Sequence, residues 1–160
     1  MVGPSIRFDF PASGSMVTSF SKFLTELYAR VFDDADQGYR IGLTVHELLE
    51  NLVKYAEGQS CLEVGMREDQ GQVYAWVRTQ NTANEECSRE LASLFARFDD
   101  EPDAISLYDS LLYGSVDRDR SGLGLARIRA EAEVALACSI ENGNVTIYAE
   151  APVSKRNDPC

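Results

Sequence analysis

Two groups of residues in this sequence have the types and spacing that chemistry on a bound phosphate requires. The first is Glu47, Asn51 and Lys54, which lie in a segment whose apolar residues recur at helical spacing. In a helix, residues four positions apart are neighbours on one face, so Glu47 and Asn51 can address one ligand. A carboxylate deprotonates a hydroxyl, an amide oxygen ligates Mg²⁺, and an ammonium group attracts phosphate. The same three residues also suit the solvated face of an ordinary amphipathic helix.

The second group is the glycine segment Ser121-Gly122-Leu123-Gly124-Leu125, where a polar stretch gives way to a predicted helix. Glycine lets the backbone approach a ligand, and the unpaired N-H groups at a helix start attract phosphate oxygens. Nearby arginines concentrate positive charge on an otherwise acidic chain: Arg118, Arg120, Arg127 and Arg129. The alternative is that the glycines only shape a tight turn and allow close helix packing.

The helix that carries Glu47 is predicted over residues 37–57, with Gly58 as its C-terminal stop. One stripe of it is apolar at about 100° per residue, which is typical of a helix packed on a core. The stripe consists of Ile41, Val45, Leu48, Leu49, Leu52 and Ala56. His46 lies at the edge of this stripe, and we assign it a packing role.

The remaining elements follow from the same kind of pattern. Strands are predicted at residues 5–10, 61–67, 72–79, 135–141 and 145–151. Helices are predicted from about residue 14 to the acidic run at 33–36, and at 85–98, 103–112 and from 122 onward. Asn142-Gly143 marks a hairpin because this pair tolerates positive φ. Strands grouped at the start, middle and end predict an α/β two-layer sandwich, with helices on one face of a mixed, largely antiparallel sheet.

Composition limits the function classes. A length of 160 residues favours one domain, predicted over residues 1–152 with a polar tail at 153–160. The net charge of -11 argues against nucleic-acid binding. The sequence has no apolar run long enough for a membrane span and no signal peptide, so we expect a cytoplasmic protein without a membrane partner. The four cysteines show neither metal-ligand nor disulfide spacing.

Together, the segment around Glu47 and Asn51 and the later Gly122-Leu123-Gly124 resemble the N box and second glycine box of GHKL ATPases, which have the Bergerat or histidine-kinase-like fold. The chain is most similar to the single-domain anti-sigma-factor serine kinases of bacteria, and among them to the SiaB-like group. The resemblance implies that Glu47 is the general base and that Asn51 ligates Mg²⁺. It implies an ATP-binding set of Asn51, Lys54, Asn81, Ser121, Gly122, Leu123, Gly124 and Leu125.

The sequence departs from that family at the first glycine box, normally Asp-x-Gly-x-Gly. The corresponding segment reads Gln80-Asn81-Thr82-Ala83-Asn84. The missing aspartate normally accepts a hydrogen bond from the adenine amino group, and its loss costs about 1–3 kcal/mol of binding. Asn81 and Asn84 are the two candidate substitutes.

The resemblance implies a protein partner, a STAS-domain antagonist phosphorylated on serine or threonine. Receiver or phosphatase signalling components are further candidate partners, and the sequence is compatible with a homodimer. Two alternatives stay open. The chain is a pseudokinase that acts only as an adaptor, or it is an unrelated α/β domain in which Glu47 and Gly122 do not border one cavity.

Overall fold

The computed structural model describes residues 2–11, 13–114 and 122–153. Its strands are β1 (Val2–Pro11), β2 (Gln59–Asp69), β3 (Gln72–Thr82), β4 (Ala135–Glu141) and β5 (Asn144–Val153). Its helices are α1 (Gly14–Phe32), α2 (Ala35–Tyr55), α3 (Glu85–Asp100), α4 (Ala104–Gly114) and α5 (Leu123–Glu131). Each strand and helix predicted from the sequence is present, with small differences at the ends.

The strands form one sheet in the order β1-β2-β3-β5-β4, and each pair of neighbours is antiparallel. The α/β fold with a largely antiparallel sheet is therefore confirmed, and no parallel pair occurs among the described strands. Two hairpins supply two of the pairs. Their turns place both central residues at positive φ: Gln70 and Gly71 at 49° and 83°, Asn142 and Gly143 at 52° and 78°. Such turns match the twist of the flanking strands.

The helices lie over one face of this sheet. Helix α1 covers β1, where the ring of Phe20 lies 4.7 Å from that of Phe8 and 5.8 Å from that of Phe10, measured between centroids. Helix α2 packs between α1 and α5 and rests on β3 and β5. Its residues Leu48 and Leu49 are almost fully buried in the core. Glu47 lies on another side of α2 and faces α5.

Helix α2 begins at Ala35, earlier than predicted, because Asp34 caps it. The Asp34 carboxylate accepts hydrogen bonds from the backbone N-H groups of Asp36 and Gln37, at 2.9 and 3.2 Å. These bonds, foremost the one from Gln37, hold the pKa of Asp34 below its ordinary value. The helix ends at Tyr55 and not at 57, since Ala56 is extended. Gly58, with φ of 88°, lies in the turn that follows.

No helix in the described ranges combines the length and apolar character that crossing a bilayer requires.

Candidate functional site

The polar side of α2 and the start of α5 are in direct contact. A Cβ atom built on Gly124 would lie 2.3 Å from Oε2 of Glu47, far inside van der Waals distance. A side chain at position 124 would therefore displace the Glu47 carboxylate. The two motifs are distant in the sequence, but they form one wall of one site.

A cavity of about 400 Å³ opens beside this contact. Lys54 is placed at its edge, with Nζ 4.9 Å from the centre of the Tyr55 ring. The cavity is lined by Glu47, Glu50, Asn51, Val53, Lys54, Tyr55, Gly122 and Gly124. It combines carboxylate, amide and ammonium groups with the glycine backbone, which is the set of groups that a magnesium-phosphate ligand requires.

Gly122 is the N-cap of α5 and has a φ of 88°, in the left-handed region. A Cβ at this position would also lie 2.5 Å from Cδ2 of Leu94 in α3. No side chain in the described part of the protein caps the first turn of α5. The first N-H groups of a helix have no partner within it, so this end of α5 suits an anion.

Asn51 stands at the junction of this outer cavity and a smaller inner one. Its Nδ2 atom is buried and has no hydrogen-bond partner among the described residues. Most buried side-chain polar atoms are hydrogen-bonded, so an unpaired amide beside two cavities is a candidate ligand contact. The inner cavity of about 40 Å³ is mostly apolar, with Leu52, Thr79, Asn81, Leu91, Leu94, Leu125 and Ile147 among its lining residues.

The segment that replaces the first glycine box leads into α3. The Oδ1 atom of Asn84 accepts a hydrogen bond from the N-H of Cys87 at 2.9 Å, so this side chain caps the helix. Asn81 is 9% exposed and lines the inner cavity, and its Nδ2 donates to the carbonyl oxygen of Thr82 at 3.0 Å. Of the two asparagines that could replace the missing aspartate, Asn81 lines the inner cavity, whereas Asn84 lines neither the inner nor the outer one.

The residues present fit the phosphates and the magnesium ion of Mg-ATP but not its adenine base. The outer cavity fits phosphates and a magnesium ion through Asn51, Lys54 and the start of α5. The inner cavity of about 40 Å³ has room for roughly three waters. Three waters occupy less space than a purine ring, so the base does not fit the inner cavity as it stands. Leu91 and Leu94 of α3 are among the side chains that line this cavity.

Comparison with known proteins gives a structural relative but no family assignment. No protein-family model and no curated protein matches the sequence. A chain in the crystal structure of the SiaB-SiaC complex from Pseudomonas aeruginosa has a similar structure, with a TM-score of 0.64. The match covers 92% of this chain and 89% of that chain at 16% identity. It shows a shared fold.

Other residues of the predicted site lie in different surroundings. Leu125 is buried in the core and also lines the inner cavity, whereas Leu123 is half-buried and borders neither cavity. Arg129 lies over the ring of Phe98 at 4.7 Å, which places it against α3. Ser121, Arg118 and Arg120 lie outside the described residues.

Sequence reasoning missed one contact of the site. Arg127 donates from Nη1 to Oε1 of Glu47 at 3.1 Å and from Nε to Oε2 of Glu131, also at 3.1 Å. Burial opposes protonation of Arg127, but the hydrogen bonds and charges of Glu131 and Glu47 raise its pKa above the ordinary value. Arg127 and Glu131 are four residues apart in a predicted helix, so the sequence could have indicated their contact. Nothing in the sequence indicates the contact of Arg127 with Glu47.

Proposed function

We propose that this protein is a bacterial partner-switching regulator of the anti-sigma-factor kinase type. In this proposal it uses Mg-ATP to phosphorylate a serine or threonine of a STAS-domain antagonist. The observation that carries the proposal is the contact of Glu47 with Gly124 at the wall of a common cavity. A carboxylate, a buried amide and a helix start meet there, and the amide nitrogen and the helix start have no side-chain partner among the described residues. Phosphoryl transfer requires groups of these kinds.

Asn51, Lys54 and the first turn of α5 would hold the ligand. Asn51 would contribute its amide oxygen to the metal, and Lys54 would contact a phosphate oxygen. When bound, Mg-ATP supplies the phosphoryl group and a metal ion that neutralises charge on the phosphates. Magnesium usually keeps several waters and takes few protein ligands.

Glu47 would act on the acceptor hydroxyl. Its carboxylate would take the proton that the partner's serine or threonine loses. The hydroxyl oxygen would bond to the γ-phosphorus of ATP as the bond from that phosphorus to the bridging oxygen breaks, so that ADP leaves. General-base contributions of this kind are typically about 10²- to 10⁴-fold. The product carries nearly two additional negative charges on the partner. Against a chain with a net charge of -11, those charges favour release of the partner.

A protein partner is supported by the shared fold. The similar chain belongs to a complex of two proteins, SiaB and SiaC. The acidic surface of the present protein also disfavours nucleic acid. A protein antagonist is therefore the partner class that the fold and the charge favour together.

A second candidate function is that of an adaptor that binds the same partner class without using ATP. The small inner cavity favours it, because Leu91 and Leu94 line the space that the base of a nucleotide would enter. The absence of the first glycine box points in the same direction. In this second function the protein binds its partner but transfers no phosphate to it.

Calorimetric titration with Mg-ATP separates the two functions. We expect the unmodified protein to bind Mg-ATP through its phosphates. For Asn51→Ala we expect a loss of about 10- to 100-fold in affinity, because the variant lacks a polar contact worth about 1–3 kcal/mol. Gln72→Ala is the matched control. It also removes an amide side chain, but at the first residue of β3, whereas the inner cavity is lined by Asn81 near the last residue of that strand. We expect this control to bind Mg-ATP as the unmodified protein does.

The other outcomes of this titration are equally informative. If the unmodified protein binds no Mg-ATP at millimolar concentration but forms a complex with a purified STAS-domain protein, the kinase proposal is wrong and the adaptor function holds. Equal affinities of the unmodified protein and Asn51→Ala would remove Asn51 from the ligand set.

A further inference from the structure

Arg127 is shared between two carboxylates that differ in their surroundings. The side chain of Glu47 is 14% exposed, whereas that of Glu131 is 37% exposed. The guanidinium group of Arg127 lies between them and donates one hydrogen bond to each, at 3.1 Å. One end of this arrangement is therefore fixed inside the site, and the other end lies at the protein surface.

Helix α5 holds one oxygen of Glu47 and lies close to the other. Oε1 accepts the hydrogen bond from Arg127. Oε2 lies where a Cβ at position 124 would be 2.3 Å away, so a side chain there would displace it. A carboxylate on a flexible side chain otherwise samples several rotamers. Here a residue of another helix, Arg127, holds one of its oxygens.

We infer that Arg127 is the positioning residue for the Glu47 carboxylate and that Glu131 in turn orients Arg127. The kinetic part of this inference rests on the proposed function. Arg127 sits one turn before Glu131 on α5, so their contact forms within the helix. A fixed carboxylate matters because a displacement of about 1 Å in a reacting group can cost on the order of 100-fold in rate.

A purely structural role would have different consequences. An ion pair that is partly open to water adds little to stability. Helix α5 is already anchored by Leu125, Ala126 and Ile128, which are almost fully buried. Joining α5 to α2 is therefore not the main effect of Arg127, and its removal should change the orientation of Glu47 more than the stability of the fold.

The first test is structural and needs no nucleotide. We expect the crystal structure of Arg127→Met to show the Glu47 carboxylate rotated away from Gly124 or spread over several rotamers. Arg7→Met is the matched control, because Arg7 also forms an ion pair, with Asp9 at 2.9 Å, but on β1. In that control Glu47 should keep its place. An unchanged Glu47 in Arg127→Met would overturn the inference.

The second test divides kcat from KM in phosphate transfer from Mg-ATP to a purified STAS-domain protein. Arg127→Met should lower kcat by about 10- to 100-fold and leave KM for Mg-ATP within about 2-fold, since the base is misplaced but the ligand contacts remain. Arg127→Lys should restore part of the rate, and Glu131→Gln should lower it less than Arg127→Met does. Arg7→Met should keep the full rate.

The outcomes separate this inference from the proposed function. If the unmodified protein transfers no phosphate, the proposed function fails, and the crystal structures still decide the role of Arg127. If Arg127→Met keeps the full kcat, the positioning role is wrong while the kinase proposal stands. A higher KM at unchanged kcat would make Arg127 a ligand contact and would also overturn the inference.

Discussion

Replacing Glu47 with alanine is expected to lower phosphate transfer to a STAS-domain acceptor by at least about 100-fold. The carboxylate is the group in the described cavity that lies against the glycine turn, and alanine at this position accepts no proton. Affinity for Mg-ATP should change little, because Asn51, Lys54 and the start of α5 remain. The measurement is transfer of labelled phosphate, with calorimetry on the same preparation.

Two further variants make the result specific. Glu47→Gln keeps the length of the side chain and one oxygen facing Arg127, but it removes the carboxylate, so its rate should fall as far as that of the alanine variant. Glu26→Ala removes an exposed glutamate from α1 and should transfer phosphate at the full rate. Transfer that survives in both Glu47 variants would show that another group takes the proton.

Stability distinguishes loss of the base from loss of the fold. Glu47 is on the polar side of α2, and its neighbours Leu48 and Leu49 form the buried side. Without Glu47, Arg127 still pairs with Glu131 within α5. We therefore expect the urea midpoint of Glu47→Ala to stay close to that of the unmodified protein.

The sequence predicted the elements whose signals are local. The apolar stripe of α2 has helical periodicity, and Leu48, Leu49 and Leu52 are indeed almost fully buried. The pair Asn142-Gly143 was predicted to form a hairpin turn, and both residues have positive φ. In each case the residues that set the structure are near neighbours in the chain, so a short window contains the whole cause.

Contacts between segments far apart in the chain could not be predicted from a short window of sequence. The ion pair of Arg127 with Glu47 joins residues of two helices, and no periodicity marks it. The same is true of Leu94, whose side chain fills the space beside Gly122. The sequence indicated that the two motifs belong to one site, but which side chains fill it depends on how α3 and α5 pack.

Gly122 belongs to the glycine motif, but its contact with Leu94 gives it a role in packing as well. Replacing Gly122 with alanine is expected to destabilise the protein by at least about 2 kcal/mol, from two separate causes. A φ of 88° is unfavourable for alanine, and left-handed backbone costs roughly 1–2 kcal/mol. The new Cβ would also lie 2.5 Å from Leu94, and such overpacking costs about 1–3 kcal/mol. Urea denaturation measures the sum.

Gly58 is a matched control for the first of these causes. It has the same φ of 88°, but a Cβ there would meet no atom within 4 Å. Gly58→Ala should therefore lower the free energy of unfolding only by the cost of the left-handed backbone, about 1–2 kcal/mol. Equal costs at the two positions would contradict the contact between Gly122 and Leu94.

The double variant Gly122→Ala with Leu94→Ala isolates the second cause. Leu94→Ala alone leaves a cavity and costs about 2–5 kcal/mol. If the alanine Cβ at 122 fills part of that space, the double variant costs less than the sum of the single variants. Gly122 would then be required for packing against Leu94, whether or not a phosphate binds. Gly124 lies against the Glu47 carboxylate, so a side chain at that position would disturb the candidate site and not the core.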